Sequence, residues 1–91
     1  TDDPELDRLH SAARQILMEI DPRMQTHDFR MVKGEGHINL IFDIALPLDL
    51  RGREKSIVAQ LEETLTTREN TRIYTVITFD PVAFNPEIEQ R

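Results

Sequence analysis

From His37 to Leu46 the chain alternates without a break. Ile38, Leu40, Phe42, Ile44 and Leu46 fall on one side, and His37, Asn39, Ile41, Asp43 and Ala45 on the other. Successive side chains of a strand point to opposite faces, so this period of two predicts a strand with one buried side. No other stretch of the sequence constrains the fold class as strongly.

The flanking segments supply its partners. His27 to Val32 reads as a first strand, joined to the second by a tight turn over Lys33-Gly34-Glu35-Gly36, and Pro47 stops the second strand. Upstream, Leu6, Leu9, Ala13, Ile16, Leu17 and Ile20 recur at spacings of three and four, predicting an amphipathic helix over 4–20. Asp2 or Asp3 serves as its N-cap, Pro4 fits its first turn, and Asp21-Pro22 ends it. A second helix is expected over 53–67, with Ile57, Val58, Leu61 and Leu65 on one face. A third strand, β-branched and aromatic, is expected over 73–80. Pro81 and Pro86 bracket a tail, 82–91, that reads as extended and frayed. The order is α-β-β-α-β. Right-handed crossover places strand three parallel to strand two, while the hairpin sets strand one antiparallel to it. The expected fold is α+β: a two-layer, three-stranded mixed sheet with both helices on the face that buries Phe42, ferredoxin-like but short of one strand.

Parity refines this picture. If Phe29 and Met31 share the core face with Leu40 and Phe42, the hairpin loop has an even length, and Gly34-Glu35 or Glu35-Gly36 supplies it. The same parity puts His27 on the core side at a strand end. The outer face then carries Asp28, Arg30, Val32, Asn39, Ile41, Asp43, Ala45, Tyr74, Val76, Thr78 and Asp80. In one of the two registers Asp28 faces Asp43, an unfavourable like-charge pair that a bound cation, Arg30 or plain exposure would relieve. A sheet face half apolar in composition is expected to be covered, and with both helices already used the natural cover is a second copy.

Composition narrows the chemistry. The 91 residues predict one domain, 1–91. No cysteine is present, which excludes disulfides, thiolate metal sites and CxxC redox chemistry. A net charge of −6 with scattered basic residues gives nucleic acid no basic face to bind. No apolar run approaches the roughly 20 residues that a membrane helix needs. The sequence opens on Thr1 without an initiator methionine, so it is expected to be excised from a longer protein.

His27-Asp28-Phe29-Arg30, a glycine turn, a strand bearing an acid near its end, a helix, and a strand closing on Asp80-Pro81 together resemble the cytoplasmic C-terminal domain of the cation diffusion facilitator transporters. The resemblance spans about residues 5 to 81, and HINLIFDIALP is especially similar to the variant of Gram-positive members. It implies a metallochaperone-like homodimeric domain on the cytoplasmic side of the membrane. Its partners would be a second copy, the transmembrane domain of the parent and divalent cations, with Zn²⁺ foremost and Mn²⁺, Fe²⁺ and Co²⁺ also admitted. The parent would export such ions in exchange for protons, and metal at the dimer contact would tighten the pair. Residue by residue, the resemblance implies His27, Asp43 and Asp80 as ligands. Ser56 and Thr78 stand where metal-binding members carry histidines, so water or the partner chain must complete the four donors that Zn²⁺ prefers.

The plain alternatives are a hydrogen-bonded structural role for His27 and solvated or Arg30-paired carboxylates at Asp43, Asp80 and Asp28. His37 reads as an exposed turn residue and His10 as a solvated border residue of the first helix. No catalytic motif is present, and Ser11 and Ser56 have no histidine nearby in sequence, so the chain is not expected to be an enzyme. An acylphosphatase-like reading would rest on Arg23 and Asn39, which are not organised for it. The remaining alternative is a free-standing small-ligand or metal sensor of similar topology.

Overall fold

The computed structural model describes residues 3–82 of the chain. Helix α1 covers Pro4–Ile20; strands β1 and β2 cover Gln25–Gly34 and His37–Leu46. A short 3-10 turn follows at Leu48–Leu50, then helix α2 at Glu54–Glu69 and strand β3 at Arg72–Pro81. The sheet order is β1-β2-β3, with β1 antiparallel and β3 parallel to β2. The α-β-β-α-β order and the mixed sheet are those expected. Strands β1 and β3 extend one to two residues past the bounds that periodicity alone sets, helix α2 starts one residue later and ends two residues later than expected, and the 3-10 turn carries no sequence signal. The tail expected from residue 82 lies, beyond Val82, outside the described residues.

Local chemistry explains the boundaries. Asp3 caps α1 by accepting hydrogen bonds from the backbone N–H groups of Glu5 and Leu6, so of the two capping candidates it is Asp3 that serves. Helix α2 ends on Asn70, which takes the left-handed conformation (φ 51°) that asparagine tolerates better than most residues. Glu62 Oε2 accepts hydrogen bonds from the Thr75 backbone N–H and hydroxyl, both at 2.7 Å, tying α2 to β3. Gly34 pairs with His37, so the hairpin turns on Glu35-Gly36, with Gly36 at φ 72°. A Cβ at Gly34 would run into the His37 imidazole.

Ile38, Leu40, Phe42, Ile44 and Leu46 are all buried, as their alternation requires, against Leu9, Ala13, Ile16 and Leu17 of α1 and Ile57, Leu61 and Leu65 of α2. Among the described residues, both helices therefore cover one face of the sheet and leave the other bare. Arg23 fastens the end of α1 to the 3-10 turn, donating to both oxygens of Asp21 and both of Asp49 at 2.8–3.0 Å.

Candidate functional site

The candidate site is built on the bare face of the sheet, and a single irregularity in β1 shapes it. From Gly34 back to Arg30 the strand pairs regularly with β2, Met31 opposite Leu40 and Arg30 opposite Ile41. The register then shifts between Arg30 and His27, and Asp28 sits there at φ 55°. This is a β-bulge, with one extra residue on β1. Aspartate is among the few residues that enter the left-handed region at modest cost. Had the regular register continued, Asp28 would have stood opposite Asp43. Instead His27 pairs with Asp43, Thr26 with Ile44 and Gln25 with Ala45.

The bulge corrects the sequence expectation for His27. Unbroken parity places it on the core side. The inserted residue reverses parity for everything before it, so His27 faces outward beside Asp43, while Phe29 and Met31 still pack against the core. The like-charge Asp28–Asp43 pair is thereby replaced by a histidine–carboxylate pair, and Asp28 is exposed in the bulge.

The outer face is arranged in rows. His27, Asp43 and Thr78 form one row; Gln25, Ala45 and Asp80 form the next; Arg30, Ile41 and Val76 lie on the other side. Directly opposed residues hold their Cβ atoms about 5 Å apart, and diagonal neighbours such as Asp43 and Asp80 about 7–8 Å apart. His27 and Asp43 are therefore neighbours, and Asp80 stands one step away along the same face. Among the described residues no three His, Asp or Glu side chains converge closely enough to hold a metal ion. One chain presents an imidazole and a carboxylate side by side, a donor pair that suits a divalent cation but falls short of its usual four ligands. Ser56 contributes nothing here: it lies on α2, where its hydroxyl donates to the Arg53 carbonyl at 2.9 Å.

Beyond these donors the face mixes Gln25, Arg30, Asn39, Arg72 and Thr78 with a group of exposed apolar residues. Val32, Tyr74 and Val76 are 53%, 49% and 60% exposed, with Ile41 and Ala45 on the same face. His37 also belongs to this face: its ring meets Tyr74 edge-on at 5.8 Å, and its Nδ1 lies 3.0 Å from the Glu35 carbonyl oxygen. It is a packed strand residue and not the free turn residue expected.

His10 likewise departs from expectation. It is part-buried, stacked on Phe29 with centroids 4.4 Å apart and planes 14° from parallel. Its Nε2 lies 2.8 Å from the Thr26 hydroxyl. Burial, reinforced by the Arg14 charge and opposed by Asp7, lowers its pKa below the ordinary histidine value. Neither the bulge nor this packing is visible in the sequence, where His10 lies 16 positions from Thr26 and farther from Phe29. The one available signal is aspartate just before Phe29 in an otherwise alternating strand. Of the enzyme candidates, Arg23 is committed to Asp21 and Asp49, and Asn39 lies on the outer face, paired with Val32.

The fold and its bare, donor-bearing face define a class: small two-layer α+β domains whose sheet has one covered and one open side. No protein-family model and no curated protein matches the sequence. Among solved structures, one named for a zinc transporter, CzrB, superposes with a TM-score of 0.70, covering 91% of this chain and 99% of that chain. Sequence identity is 16%, so the likeness is one of fold.

Proposed function

We propose that this chain is the cytosolic regulatory and homodimerisation domain of a divalent-cation efflux transporter of the cation diffusion facilitator family. The observation that carries the proposal is the end-to-end fold likeness to CzrB, in a chain whose His27-Asp28-Phe29-Arg30 and Asp80-Pro81 segments resemble that family. The role is non-catalytic. Two copies meet through the bare sheet faces, burying Val32, Ile41, Tyr74 and Val76. Each copy contributes His27 and Asp43, with Asp80 beside them, so that a pair of chains supplies the donors a single chain lacks. A divalent cation held there links the copies and couples cytosolic metal to the shape of the dimer. Zn²⁺ is the cation best matched to one imidazole and carboxylate oxygens.

Sedimentation equilibrium combined with calorimetric titration of Zn²⁺, Mn²⁺, Co²⁺ and Fe²⁺ tests this. The expected result is a two-fold dimer whose cation binding weakens in both His27→Ala and Asp43→Ala. A chain that remains monomeric at millimolar concentration refutes the dimer. Variants that bind as wild type does refute the ligand assignment.

A further inference from the structure

The donor pair exists only because β1 is bulged, so whatever holds the bulge controls the site. A bulge disrupts the ladder locally and places Asp28 in a conformation that most residues avoid, and both effects disfavour it unless neighbouring contacts compensate. One side chain outside the sheet makes such contacts on both flanks. On the core side of the bulge, Phe29 is sandwiched between Phe42, at 4.8 Å, and the His10 ring, at 4.4 Å. One residue before His27, Thr26 is bound to the same His10 ring. A single imidazole on α1 thus grips β1 on both flanks of the irregularity, through a stack after it and a hydrogen bond before it. Thr26 can meet His10 only in the shifted register, where it pairs with Ile44 on the core face. In the unshifted register Thr26 would face outward and His27 inward.

We propose that His10 is the positioning residue of the cation site: by holding Thr26 and Phe29 it locks the bulge that turns His27 outward, opposite Asp43. This rests on the reading of His27 and Asp43 as cation donors. The lowered pKa of His10 is consistent with it, since a neutral ring stacks on Phe29 without carrying a charge into a part-buried place.

The test uses the full 91-residue chain in two arms. The first is NMR without metal, reading cross-strand NOEs between His27 and Asp43 and the sign of φ at Asp28 from its coupling constants. The second is calorimetric titration with Zn²⁺. His10→Ala is expected to lose the His27–Asp43 NOEs and the positive φ, and to bind Zn²⁺ about tenfold more weakly, the usual scale for residues that orient a ligand. Adding Asp28→Gly, which lowers the conformational cost of the bulge, is expected to restore the NOEs and the affinity. A folded His10→Ala that keeps the NOEs and the wild-type Zn²⁺ affinity overturns the proposal. Should His10→Ala not fold, His10→Phe decides: it preserves the stack but not the contact to Thr26, and the proposal fails if its register and Zn²⁺ affinity both equal wild type. Absence of Zn²⁺ binding by the wild-type chain removes the cation-site reading alone, because the NMR arm is read without metal and still decides what His10 does to the register.

Discussion

Val76 offers the most direct test of what covers the bare sheet. It lies in the middle of β3, opposite Ile41, and is 60% exposed. Fully burying a valine side chain stabilises by about 2 kcal/mol, so covering the exposed part of Val76 contributes about 1.2 kcal/mol per copy. In a two-fold interface the same residue is buried twice, which makes about 2.4 kcal/mol per dimer. At about 1.4 kcal/mol per decade, Val76→Glu should raise the dimer dissociation constant about 50-fold, and the desolvation of two carboxylates adds to that figure. The monomer should hardly notice, because an exposed strand position away from the core changes stability by no more than about 0.5 kcal/mol. Sedimentation velocity over a dilution series reads the first effect, and urea unfolding in the monomeric range reads the second. If the dissociation constant moves less than about threefold while the fold is intact, the outer face is not the contact, and the area reasoning behind the cover is wrong.

Two further outcomes follow from the core and from the ionic clamp. Phe42 is 1% exposed beneath Phe29, and Phe42→Ala should cost about 3–5 kcal/mol in urea unfolding, with a loss under about 1 kcal/mol contradicting its central place. Hydrogen bonds from Arg23 hold the Asp21 carboxyl at about 2, below its ordinary 3.8. A carboxyl with a depressed folded-state pKa adds stability above its unfolded value and loses it as pH falls through the folded one. Arg23→Met should therefore flatten the decline in stability between about pH 4 and pH 2 as followed by urea unfolding, and an unchanged decline would show that the clamp does not couple to folding.

Much of this architecture is legible in the order of residues alone. The alternation over His37–Leu46 demands a one-sided strand, the three-and-four spacings in 4–20 demand a helix, and Asp21-Pro22 and Pro47 mark where each stops. Those signals are local: each depends on which residues lie within a turn or two of one another, and a chain's period determines which face it buries. Parity also requires an even hairpin loop, and the turn at Glu35-Gly36 obeys it. The order α-β-β-α-β, the parallel pairing of β2 with β3, the single covered face and the exclusion of thiolate chemistry are therefore properties of the sequence itself.

What periodicity cannot carry is the orientation of His27. Continued alternation places it inside, one residue of slack at Asp28 places it outside, and the aspartate before Phe29 is too weak a signal to choose between them. The choice falls to contacts between residues distant in the chain: His10 on α1 reaching Thr26 and Phe29, and Phe29 reaching Phe42 across the ladder. The energies that favour a bulge come from packing in three dimensions, not from propensities along one. The pattern of residues thus dictated the sheet and its sidedness, and only the assembled core decided which side of it His27 would face.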